Sequence, residues 1–86
     1  MNRQFRRDQA MQTLYAIVMA MEGEVSMGYH GIAKAYSNDG YNVTLLLEDG
    51  REVLPEEADL DTLEAAIYQW RDEHMHFFQK ILNAMM

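Results

Sequence analysis

Cysteine is missing altogether, proline occurs once, and cations are scarce in this 86-residue chain. Without thiols there is no disulfide to staple a small core, no thiolate metal site and no cysteine nucleophile. That absence favours a reducing compartment, and a cytoplasmic, soluble protein is expected. Seven Lys and Arg stand against fourteen Asp and Glu, a formal net charge of −7. Lys34 is the only cation between Arg7 and Arg51. Phosphate contacts supply most of the affinity for nucleic acid, so direct nucleic-acid binding is not expected. Long apolar runs are lacking too. The run LYAIVMAM at 14–21 is far short of the ~20 residues a membrane span needs, so no membrane partner is expected. Arg3, Arg6 and Arg7 precede that run, a faint likeness to a secretion signal. Asp8, Gln9 and Gln12 interrupt it, and Glu22-Gly23-Glu24 makes a poor cleavage site.

Apolar residues make up 49% of the chain, a globular composition, and the length suits one domain. Residues 1–86 are therefore read as a single small acidic α+β domain. Met11, Leu14, Val18 and Met21 recur at helical spacing, broadened by Ala10 and Ile17, which predicts a helix over 4–22 with Gly23 at its C-cap. Segments 29–37 and 41–48 flank Asn38-Asp39-Gly40, the material of a type I turn closed by a left-handed glycine. Asp49-Gly50 then predicts a two-residue type I′ turn into a short strand over 51–54. Pro55 ends that strand. Asp61 is the preferred N-cap of a last helix over 62–84, with Glu64 three residues on and Asp59 as the competing cap. From Leu63 to Ile81 its apolar positions step by 4, 3, 4, 3, 4, a heptad seam. The expected order is α-β-β-β-α, a three-stranded antiparallel meander packed against two helices. A last helix of that length would span roughly 34 Å and overhang a domain whose radius of gyration should be ~12 Å. Leu14, Val18, Trp70, His74, Phe77 and Ile81 are thus candidates for a helix interface, made either within the chain or with a second copy in a homodimer.

The charge is gathered in one place. Residues 48–64 hold eight acids and one base, Arg51, for a net of −7, so the rest of the chain sums to zero. Helix capping and the helix dipole account for Asp59, Asp61 and Glu64. They do not account for Glu48, Asp49, Glu52, Glu56 and Glu57, which across a hairpin would sit near one another without enough cations. Glu48, Asp49, Glu52, Glu56, Glu57, Asp59 and Asp61 are therefore the candidate partner-binding residues. They are expected to form one outward-facing negative ridge that engages a protein with a basic surface. A solvated hairpin turn followed by a helix start is the plainer alternative.

Other constellations fall away. Asp59-Leu60-Asp61-Thr62-Leu63-Glu64 departs from the calcium-loop pattern and lacks its glycine. His74 and His76 are two apart, on different faces of a helix, and Asp72 with His76 lacks a third ligand. His74 sits on the apolar seam, where a hydrogen-bonded core histidine is the expected reading. The tyrosines 29, 36 and 41 could stack bases, yet without cations around them they read as packing or as part of a protein-binding face. With no nucleophile–base pair, phosphate loop or metal set, neither an enzyme nor a cofactor is expected. In size, charge and element order the chain resembles small phage inhibitors such as anti-CRISPR proteins. That resemblance implies an inhibitor or regulator acting as a nucleic-acid mimic on a macromolecular partner. The alternative is a structural homodimer held by helix packing, its acidity serving only solubility.

Overall fold

The computed structural model describes residues 2–85, with the side chains of Phe77, Phe78, Leu82 and Met85 outside the description. Phe77, a candidate interface residue, therefore lies outside the described residues. The elements run α1 (Arg3–Ala20), β1 (Glu24–Tyr29), β2 (Ile32–Tyr36), β3 (Thr44–Leu47), β4 (Glu52–Val53), α2 (Leu60–Glu73) and α3 (Met75–Met85). The strands make one antiparallel sheet in the order β1-β2-β3-β4. This is an α+β fold, with one more strand and one more helix than the sequence pattern indicates.

α1 starts where the Asn2 side chain accepts the Phe5 N–H at 2.7 Å, satisfying one of the donors a helix start leaves open. Ala10, Leu14, Ile17 and Val18 are its buried face. That stripe is rotated from the expected one, since Met21 is exposed and Met11 only half-buried. The helix closes in a Schellman motif. Glu22 and Gly23 are both left-handed (φ 62 and 98), Gly23 N–H donates to the Val18 carbonyl at 2.8 Å, and Glu22 N–H donates to Met19 at 3.1 Å. The Gly23 carbonyl then accepts the Ser37 N–H at 2.8 Å, which passes the chain straight into the sheet.

β1 was not expected. Its hairpin turns through His30 and Gly31, φ 53 and 82, the left-handed pair that a type I′ turn requires. Tyr29 pairs with Ile32 across it. The segment read as a single strand over 29–37 is therefore split by this turn. β3 in turn starts late. Asp39 Oδ1 accepts the N–H groups of Tyr41 (2.8 Å) and Asn42 (2.9 Å), so a carboxylate takes donors that a ladder would have used. Tyr41 is left 80% exposed. At the next turn only Gly50 is left-handed (φ 94). Leu47 N–H donates to the Arg51 carbonyl at 2.8 Å, closing a three-residue connection instead of the expected two-residue type I′ turn.

Val25, Ala35, Leu45 and Val53 stand opposite one another across the four strands. The first three are buried in the core and Val53 packs against it. The neighbouring row, Ser26, Lys34, Leu46 and Glu52, faces the other way, as strand alternation requires. α1 and α2 pack on each other and on β1.

The continuous helix expected over 62–84 is broken at His74, whose φ of −125° and ψ of 40° leave the helical region. The ring stacks on Trp70, centroids 4.4 Å apart and planes 13° apart, and its Nδ1 lies 2.9 Å from the Trp70 carbonyl. His74 is hydrogen-bonded as expected but exposed, not a core residue. The break removes the overhang. α3 turns back against α1, Ile81 is buried to 6% exposure, and the radius of gyration is 12.0 Å. Leu14, Val18, Trp70 and Ile81 lie in the core of this one chain. The helix interface they form is therefore internal to the fold.

Candidate acidic cleft

The carboxylates of 48–64 leave the fold in three directions, so the single outward ridge expected from the sequence is not formed. The cause is local geometry. Strand alternation turns Glu52 away from Val53, and helical rotation turns Asp61 and Glu64 away from Asp59.

Asp61 and Glu64 face α1. Arg6 donates to Asp61 Oδ1 at 3.0 Å and to Glu64 through both Nε (3.3 Å) and Nη2. These bonds, Glu64 first, raise the guanidinium above its already high ordinary value. Arg7 donates from Nη1 to the carbonyls of Pro55 (2.8 Å) and Ala58 (2.9 Å), clasping the turn that leads into α2. Pairing of the basic N-terminal end with the acidic segment thus occurs inside the chain. With Arg6 and Arg7 laid on it, the segment's −7 becomes −5.

Glu52 lies on the outer sheet face, where it accepts the Tyr36 O–H. That bond, with desolvation, lifts the Tyr36 phenol above its ordinary value. Beside it Lys34 pairs with Glu24 at 2.6 Å and lies 5.7 Å from the Tyr36 ring centroid. Tyr29 packs against the core instead. Burial and a hydrogen bond to Glu73 raise its phenol. The three tyrosines read from the sequence as one group thus lie on the core side, the outer face and a loop.

Glu48, Asp49, Glu57 and Asp59 meet around a cleft of about 470 Å³ between the sheet end and the start of α2. Its floor is Ile32, Leu47, Val53 and Ala58, the point where the core face of the sheet surfaces; His30, Arg51 and Thr62 complete the wall. Each carboxylate is placed by its own segment. Asp49 accepts the Arg51 N–H at 3.0 Å and the Arg51 Nε at 2.8 Å, and these bonds, the backbone one foremost, depress its carboxyl below the ordinary value. Glu57 Oε1 accepts the Leu54 N–H at 3.0 Å, closing the turn after β4. Asp59, not Asp61, is the N-cap of α2. Its Oδ2 accepts both the backbone N–H and the hydroxyl of Thr62 at 3.0 Å. The backbone bond leads in depressing its carboxyl, with Arg3 and Arg7 adding to the effect. Glu48 and Glu56 are exposed and their side chains carry no hydrogen bond or ion pair among the described residues; Glu56 stands outside the cleft wall.

The cleft joins four of the seven candidate residues (Glu48, Asp49, Glu57 and Asp59) and separates Glu52, Glu56 and Asp61 from them. Sequence reasoning missed its floor. The signal was present in Leu47 and Val53, which sit on the core side of the second turn just ahead of a charged, proline-initiated connection. His74 and His76 do not converge on an ion, and among the described residues no group of three His, Asp or Glu is placed to hold a metal. Among them, too, no helix is long and apolar enough to cross a membrane.

Compared with known proteins, the chain matches no protein family, no curated protein and no solved structure.

Proposed function

We propose that this protein is a non-enzymatic binding module. It docks on a basic surface of a macromolecular partner through the end of the molecule where the acidic cleft opens, and so acts as an inhibitor or regulator. Where that basic surface is a nucleic-acid path, docking occludes it, the role implied by the resemblance to small phage inhibitors. The observation that carries the reading is the convergence of Glu48, Asp49, Glu57 and Asp59 on one cleft, with Glu48 and neighbouring Glu56 left exposed. Carboxylates fixed to a hairpin and a helix cap present negative potential without having to be ordered on binding. Complementary potential of this kind raises association rates and discriminates between partners. Leu14, Val18, Trp70 and Ile81 are committed to the chain's own core, so a homodimer through these residues is not favoured.

Affinity capture from native lysate tests the reading, using wild-type protein and the E48K/E56K variant at low salt and at about 1 M salt, where screening shortens to ~3 Å. These two side chains make no internal bonds among the described residues, so the fold should survive reversal. A partner held by wild type at low salt, and released both by high salt and by reversal, supports the proposal. Capture indifferent to both contradicts it.

A further inference from the structure

Resting on that reading, we propose that the cleft is the anchor site for one arginine side chain presented by the partner protein, and that Arg51 competes with it for Asp49. The cleft is more apolar than a salt-bridge site needs to be. Leu47 and Val53 form a half-buried floor, and leaving it wet costs the chain apolar burial. An occupant must cover that floor and also meet a rim carrying Glu48, Glu57 and Asp59. A leucine or phenylalanine would cover the floor but strip water from carboxylates and offer them nothing. A small cation would satisfy the rim and leave the floor exposed. Arginine does both, with a methylene stem for the apolar surface and a planar fork of donors for more than one carboxylate.

The remaining hydrogen-bonding capacity fits this occupant. Glu57 uses Oε1 for the Leu54 N–H, and Asp59 uses Oδ2 for Thr62. The other oxygen of each has no partner among the described residues, and neither has the Glu48 carboxylate. Asp49 is the exception, since both its oxygens are bonded by Arg51. The chain's own guanidinium thus already occupies one acceptor of the wall, and an incoming arginine must share or displace it. The positive end of α2 opposes a cation at this spot, and Asp59 at its N-cap offsets that field.

The test is a ¹⁵N–¹H NMR titration of the full chain with the peptide acetyl-Gly-Ser-Arg-Ser-Gly-amide at low ionic strength. Peptides carrying norleucine or lysine in place of arginine are run in parallel. Saturable shifts confined to residues 30–32, 47–53 and 57–62 are expected for the arginine peptide, with weaker binding by lysine and weaker still by norleucine. E48Q and E57Q, the latter keeping an acceptor for Leu54, should each weaken it about threefold to fivefold, the size of one exposed charge contact. R51A should tighten it by a similar factor. Equal binding of the norleucine peptide, shifts spread over acids elsewhere on the surface, or weakening by R51A would overturn the assignment. If the peptide fails while E48K/E56K still abolishes partner capture, acidic docking stands and the arginine anchor falls. If reversal has no effect on capture, docking itself falls.

Discussion

Replacing Ile81 with alanine asks whether α3 belongs to the core of its own chain. Ile81 is 6% exposed and, among the described residues, is the one by which α3 joins the hydrophobic cluster of α1, α2 and the sheet. Truncation removes three carbons, each worth about 0.8 kcal/mol when buried, which gives about 2.4 kcal/mol before any cavity contribution. Because α3 is the last helix and can settle inward, the cost should fall near the lower end of the range for isoleucine-to-alanine changes, about 2–3 kcal/mol. Small domains shift by about 4–8 °C per kcal/mol, so the midpoint should fall by about 10–20 °C. Urea unfolding followed by tryptophan fluorescence reads this directly, since Trp70 is 1% exposed in the same cluster. The midpoint concentration of urea should drop with an unchanged slope, and neither protein's midpoint should depend on protein concentration. A neutral substitution, or a wild-type midpoint that rises with protein concentration, would refute the internal packing of α3 and return the helix interface to a dimer.

Gly23→Ala should destabilise more than Gly28→Ala. Both glycines have positive φ, but a Cβ at 23 would lie 3.2 Å from the Ser37 carbonyl whereas at 28 it meets nothing within 4 Å; unfolding curves for the pair isolate that contact, and equal losses would deny it. His30→Asn should stabilise by about 0.5 kcal/mol, because asparagine suits the left-handed first position of the β1–β2 turn better, and a lower urea midpoint would argue against that turn. Acid should unfold the protein from about pH 4 downward. Asp39, Asp49 and Asp59 are held below their ordinary values by the N–H groups they accept, so the stability they lend is complete above the unfolded value of about 3.9 and is lost as pH falls through the folded ones. Stability should also decline above about pH 10, where the unfolded chain ionises its tyrosines first, because Tyr29 and Tyr36 are raised in the fold; a flat circular-dichroism profile at either extreme would count against the corresponding contacts.

Local periodicity carried α1, the second hairpin and the start of the last helical region, because one face of each meets the core and its spacing shows. What stayed hidden depended on single backbone or side-chain bonds. The β1–β2 turn uses His30 where the recognisable signal is asparagine. Asp39 silences the first residues of the expected second strand by taking their donors. Asp59 takes the cap, while Asp61 and Glu64, the two halves of the expected capping box, are both held by Arg6. The heptad seam matches the burial pattern up to Trp70 but carries no signal of the break at His74. The charge cluster was plain in the sequence. Its partition among an α1 clasp, the outer sheet face and the cleft was not, because that depends on which way each short segment turns.

The most direct test of the account is whether charge at the cleft end, and not charge in general, governs partner capture. E48K/E56K and the control E22K/D72K change net charge equally at different places on the surface. Loss of capture with E48K/E56K and retention with E22K/D72K is the predicted result. Equal loss in both, or none in either, would contradict a localised acidic docking site.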